Sequence, residues 1–230
     1  MKYYYGDILA KDVVMIYKKD SSRDVNSEIR KGLENNFKDF CICSVKQLDS
    51  IVVGVQNDSH FLLEGEFGDF IGALNDGAEI EVDGFCQRYV GNNMTRGEIV
   101  VSGSVGDGAG FGLRGGNIVI KGNAGDAVGQ LNKGGVILVD GDIRDSSGLF
   151  MLHGDIIITG DAGSETGEWM VGGIIYVGGD FELGFNAKTA NMANRDITKL
   201  QNLFLKYDID ADPSKFTKII HDKTRPFYGD

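Results

Sequence analysis

The 230-residue chain is short of cationic side chains, with 23 Lys and Arg against 34 Asp and Glu. The formal net charge is -11 and the pI is near 4.7. Nucleic acid and anionic membranes are both gripped through a basic footprint, so the charge balance argues against either as a partner. Long hydrophobic runs are also missing, and no segment approaches the length of a membrane-spanning helix. The opening MKYYYGDILAKD has neither the apolar stretch nor the small-residue cleavage site of a signal peptide, so the expectation is a cytoplasmic protein. Cysteine is scarce. Cys41 and Cys43 form a C-x-C and Cys86 stands apart, an odd number without a C-x-x-C pair. That reads as neither a disulfide framework nor a zinc site, leaving small residues on strands. Proline occurs twice, at Pro213 and Pro226, both in the tail.

What is abundant is glycine, 34 residues of it, beside many Ile and Val. Collagen would need Gly at every third position, and a disordered linker would lack the β-branched runs. The glycines are periodic. Gly65, Gly84, Gly103, Gly122, Gly141, Gly160 and Gly179 follow strand-like runs at a constant interval of 19 residues. A second column, Gly72, Gly91, Gly110, Gly129, Gly148 and Gly167, lies seven positions later, and a third closes each unit. Apolar residues hold the same register. Ile80 and Val82 are followed by Ile99 and Val101, Ile118 and Ile120, Ile137 and Val139, Ile156 and Ile158, Ile175 and Val177. Further apolar columns fall two, six and ten residues after the anchors.

A unit this short cannot bury its inward set alone, but stacked units share one core. The expected fold is all-β: a parallel β-helix of about seven coils, with Gly supplying φ > 0 at the corners. Left-handed helices of hexapeptides have an 18-residue coil, so a 19-residue period favours the right-handed kind. A degenerate coil precedes the first anchor, with Lys46 at the Gly position and Leu48, Val52, Phe61 and Leu63 inward. The spacing of Val25, Ile29 and Leu33 predicts a helix capped by Ser22 or Asp24. Ile197, Leu200, Leu203 and Phe204 predict a second over 196–208. The predicted organisation is an N-terminal capping segment at 1–45, the β-helix at 46–190, and a helix with an irregular tail at 191–230 packed on the rod.

Gly110, Gly112 and Gly115 satisfy G-x-G-x-x-G, but NIVIKG after them is a strand, whereas a dinucleotide loop must open a helix. The tandem pattern, clearest in GSVGDGAGFGLRGGNIVIKGNAGDAVGQLNKGGVILVDG, resembles the family named for its G-x-G-x-G motif. It is similar to the C-terminal β-helix domain of the glutamate synthase large subunit, in the form of a stand-alone subunit, and to a structural subunit of formylmethanofuran dehydrogenase. The resemblance implies a scaffold without catalytic, cofactor or metal residues of its own. The chemistry of such a complex would belong to partner chains, an amidotransferase and an FMN/iron–sulfur synthase. A free-standing hydrolase, esterase or carbohydrate-active, is the alternative of a different class.

Other constellations have plainer readings. Asp69, Asp107, Asp126 and Asp145 recur four positions after the anchors, but calcium wants six to eight oxygens and an Asp after Gly is expected to bond its local backbone. Ser104, Ser146, Ser147 and Ser164 lack a G-x-S-x-G elbow, and His60, His153 and His221 sit in unrelated contexts. Glu79 with Glu81, and Asp180 with Glu182, read as solvated edges. The column between the inward strand positions should face outward, yet Val100, Val119, Leu138, Ile157 and Tyr176 make it apolar. Such a stripe either docks a partner or is covered by the chain's own helix at 196–208.

Overall fold

A computed structural model describes residues 13–226. The opening segment, on which the signal-peptide expectation rests, lies outside them. Nine strands stack parallel in chain order: β1 (Val13–Tyr17), β2 (Asp39–Cys43), β3 (His60–Phe67), β4 (Asp76–Cys86), β5 (Arg96–Val101), β6 (Asn117–Ile120), β7 (Lys133–Val139), β8 (His153–Ile158) and β9 (Ile174–Val177). Helix α1 (Ser22–Glu34) crosses from β1 to β2. The chain is a parallel β-solenoid of about seven turns. Its sheet begins at β1, so the boundary expected at 45/46 falls inside a continuous ladder.

The 19-residue period is the pairing register. Ile80, Ile99, Ile118, Ile137, Ile156 and Ile175 stand directly beside one another on successive strands, and Val82 through Val177 form a parallel column. Both columns are sealed from solvent, as are those headed by Phe67, Ile71 and Asn75 until the last coil, where Phe181 is half-buried. Because the units stack in register, neighbouring coils share one continuous core, mostly apolar, with Asn75, Asn132, Ser147 and Thr166 buried in it. The degenerate coil departs from this register. Phe40 pairs with Phe61, and Ser50 donates to the Asp69 carbonyl. Ile51, rather than Val52, takes the place of Ile71, since Gly72 donates back to the Ile51 carbonyl; both Ile51 and Val52 are nonetheless buried.

The anchor glycines have a different cause from the one expected. Gly65 and Gly84 have positive φ, but Gly103, Gly122, Gly141, Gly160 and Gly179 do not. At the anchor positions the preceding coil is too close for a side chain. A Cβ on Gly84 would lie 1.8 Å from the Gly65 carbonyl oxygen, and one on Gly103 would lie 2.5 Å from that of Gly84. Left-handed backbone is concentrated five, seven and nine residues after each anchor, where it is adopted by Phe70, Gly72 and Leu74, and again by Tyr89, Gly91 and Asn93. Alternation turns successive N–H groups in opposite directions. Phe70 and Leu74 donate forward to the Arg88 and Asn92 carbonyls, while Gly72 donates backward to Ile51. This turn edge thereby bonds to both neighbouring coils without being a strand.

Both ends are closed. The N-cap of α1 is Ser21, not Ser22 or Asp24: its hydroxyl accepts from the Asp24 N–H at 3.2 Å. At the other end the seventh unit is left incomplete, and Phe185, in the inward column by sequence, is 57% exposed. There β10 (Ala187–Ala190) leads into α2 (Asn194–Tyr207), a 3-10 turn at Pro213–Lys215, and β11 (Thr217–His221). The tail expected to be irregular thus holds a strand. β11 inserts antiparallel between β9 and β10 and covers the open edge of the last coil.

Two glycine replacements separate the two causes. Gly54 has φ +68 with nothing within 4 Å of a new Cβ, so Gly54→Ala should cost only the left-handed penalty, about 1–2 kcal/mol. Gly103→Ala, at a position without positive φ, must push its coil away from the Gly84 carbonyl oxygen and should cost well over about 2 kcal/mol. Urea midpoints of the two variants against the parent chain measure the difference, and equal losses would contradict the close-approach account.

Candidate functional site

The apolar stripe on the outer face of the sheet is not open to solvent. Val119, Leu138, Ile157 and Tyr176 are buried and Val100 is half-buried, all in one cluster with Leu200, Phe204 and Tyr207 of α2 and with Ile209 and Phe216 of the tail. Of the two readings of the apolar stripe, the structure shows the intramolecular one: the chain's own C-terminal helix lies on it. An amphipathic helix buries its stripe against another apolar face, and here both faces come from one chain.

A buried polar knot fixes the start of that helix. Asp196 is 2% exposed and Lys218 is 7% exposed. One Asp196 oxygen accepts from the Tyr176 hydroxyl at 2.9 Å; the other accepts from Lys218 Nζ at 2.9 Å and from the Ala193 N–H at 2.8 Å. The knot therefore joins α2 to β9 and β11. Burial pushes the Asp196 carboxyl up, but Lys218, the Ala193 N–H and Tyr176 outweigh it and hold it at about 2. Farther along α2, Lys206 Nζ and the Tyr207 hydroxyl donate to Glu98 at 2.5 Å and 2.6 Å, while Lys121 donates to the Tyr207 carbonyl.

The other side chains picked out by sequence are engaged in coil stacking. Each aspartate of the recurring column reaches the next coil rather than its own turn. Asp107 accepts from the Asp126 N–H at 2.9 Å, Asp126 from Asp145 at 3.2 Å, and Asp145 from Ser164 at 2.8 Å. Arg144 bridges Asp107 and Asp126, and Arg88 pairs with Asp69. A parallel ladder runs through Ser104, Asn123, Asp142 and Asp161. Ser146 donates to Glu165, Ser164 to Asp145, and Ser147 is buried against Thr166. Among the described residues no serine hydroxyl hydrogen-bonds a histidine. His60 lies between Asp39 and Glu79, exposed, and His153 is an exposed residue at the start of β8. Glu79 is exposed and Glu81 half-buried, with the Glu81 carboxyl pushed up by burial and by Glu79. Cys86 is inside the rod, where burial pushes its thiol up to about 12.

A surface that sequence reasoning passes over is the turn edge. Phe70, Leu74, Phe150 and Phe185 are exposed there. Phe70 stacks on Tyr89 with ring centroids 5.0 Å apart, Phe111 meets Tyr89 edge-on, and Trp169 lies against Phe185 at 4.1 Å. Two aromatic clusters result, one on the first coils as far as Phe111 and one on the last, with Ala127, Gln130 and the half-buried Leu131 on the coil between.

The knot has a pH signature. The ordinary carboxyl value is 3.8 and the folded one about 2, so its contribution is complete above about pH 5 and is lost as pH falls through that window. Asp196→Asn should therefore flatten the acid limb of a stability curve measured by urea unfolding between about pH 6 and pH 2.5. At neutral pH, Asp196→Ala leaves the Lys218 ammonium buried and unpaired, an expected loss of about 3–5 kcal/mol. Removing residues 192–230 uncovers the stripe and should give aggregation or self-association by light scattering; a soluble monomer would contradict the cover.

No curated protein matches the chain. A family model described as GXGXG motif matches residues 49–222, from the degenerate coil through β11. The 19-residue glycine register, the stacked coils and this match over most of the sequence place the chain in the GXGXG motif family.

Proposed function

We propose that the chain is a non-catalytic scaffold subunit of a glutamate-synthase-like complex, holding an amidotransferase and an FMN/iron–sulfur synthase chain in fixed relation. Membership of the GXGXG family supports a relation to glutamate synthase at the level of the fold. The observation that carries the finer reading is the distribution of exposed apolar side chains. With the outer stripe covered by α2, Phe70, Phe150 and Phe185 remain exposed on the turn edge in two aromatic clusters, apart from the scattered Tyr17, Phe37 and Phe85. Four coils separate Leu74 from Phe150, which holds the same place in its own unit, a span on the order of 19 Å at a strand spacing of about 4.8 Å. Aromatic anchors ringed by polar residues are the usual core of a protein interface. Two such cores, on a rod that does not bend, suit two partners kept apart.

Affinity purification from the native host tests the reading. The expected co-purifying chains are an amidotransferase and a flavoprotein, while the isolated subunit carries no flavin absorption. A molybdenum or tungsten enzyme in their place would move the assignment to a subunit resembling that of formylmethanofuran dehydrogenase. Stoichiometric flavin on the isolated chain, or robust ester or glycoside turnover abolished by a point substitution, would overturn the scaffold role. Leu74→Lys and Phe150→Lys should each release one partner, retain the other, and leave stability within about 0.5 kcal/mol of the parent, as surface replacements do.

A further inference from the structure

We propose that Cys41, Cys43 and Glu64 form a binding site for a zinc-class divalent metal ion at the amino-terminal end of the outer sheet face. The C-x-C spacing is wrong for a loop-borne knuckle, but on a strand residues i and i+2 point to the same side. β2 therefore presents both thiols on one face, and the parallel register sets Glu64 of β3 directly beside Cys43. The two Sγ atoms are 3.9 Å apart, and Cys43 Sγ lies 3.0 Å from Glu64 Oε2. All three donor atoms fall within 4.8 Å of one another.

That sulfur separation is the informative distance. A tetrahedral ion with metal–sulfur bonds of about 2.3 Å holds its two sulfurs about 3.8 Å apart. The thiols are thus spaced for the ion before it arrives. The Glu64 carboxylate must swing away from Cys43 by roughly half an ångström and settle at a like distance from Cys41, to reach the sulfur–oxygen separation of about 3.6 Å that bonds of about 2.3 and 2.1 Å require. β2 is paired on both sides, by β1 and by β3, so the backbone carrying the two sulfurs is held from either flank. Cys41 is buried while Cys43 and Glu64 are half-buried, which places the donors in a partly dehydrated yet reachable setting. Two thiolates select zinc or cobalt over calcium and magnesium, and three protein ligands leave one tetrahedral position for water. Binding replaces two thiol protons, which pass to solvent, with one dication. The recurring aspartates offer no comparable set, because their oxygens already accept from the next coil.

The test uses the full chain, stripped with chelator and reduced, and titrated with Co²⁺ or Zn²⁺ alone. One equivalent of Co²⁺ should bind, with a sulfur-to-cobalt charge-transfer band and the visible bands of a tetrahedral site, and Zn²⁺ should displace it. Cys43→Ser and Glu64→Gln should each weaken binding by about tenfold or more. Cys43→Ser should also diminish the charge-transfer band, with far-UV circular dichroism confirming that both variants fold. His60→Ala, which removes the exposed His60–Asp39–Glu79 group nearby, should change nothing. A parent chain whose Co²⁺ complex lacks the charge-transfer band overturns the proposal, as does binding that survives both ligand variants and is lost in His60→Ala.

Discussion

Every feature of this protein depends on how closely one coil can approach the next. The anchor glycines exist because a Cβ there would meet the preceding coil's backbone, as the 1.8 Å approach at Gly84 shows. That contact brings each N–H within reach of a carbonyl one coil away and stacks Ile80 through Ile175 in a single line. It also lets Asp107, Asp126 and Asp145 reach forward to a backbone N–H on the following coil. An extra residue within a strand would send its whole inward set outward. The inward columns accordingly keep their register from β3 to β9, with irregularities only at the starts of β4 and β7, and the departure between β2 and β3 lies beside the coil that Asn26 of α1 ties down through Ser50 and Val52.

A rod made this way has ends and faces that must be disposed of. The last coil would expose a row of unpaired backbone groups, and β11 returns antiparallel to fill it. The outer face is apolar from Val100 to Tyr176, and α2 covers it, fastened by Asp196 at one end and Glu98 at the other. Both solutions come from the C-terminal segment, so closure of the edge and cover of the stripe are one structural event. Phe70, Leu74, Phe150 and Phe185 stay exposed on the turn edge, on a side of the coil that α2 does not use.

The period, the inward columns and the apolar stripe are legible because each is a regular repetition, and repetition survives without knowledge of long-range contacts. The helix at 196–208 is legible for the same reason, and its place on the stripe follows from the need to bury an amphipathic face. Features set by contacts between distant residues are not. β11 reads as tail because its partner strand β9 is remote in sequence and because Lys218 and His221 interrupt its apolar residues. The anchor glycines look like turn formers because sequence cannot distinguish a positive φ from a close neighbour. The aromatic clusters stay hidden because Phe70, Leu74, Phe150 and Trp169 fall in two different columns that only the alternating left-handed turn brings to one edge. Cys41 and Cys43 fail a loop-spacing rule although they lie on a strand.

On the proposed scaffold role, partners would meet the rod along the turn edge, since its own helix covers the apolar stripe. Hydrogen exchange of the chain alone and in its purified assembly measures this directly. The account predicts added protection around residues 70–74, 89–93, 111 and 149–150 on assembly, with α2 and the stripe strands unchanged. Protection confined to α2 or to strands β5–β9, or loss of protection in α2 as a partner displaces it, would contradict the account.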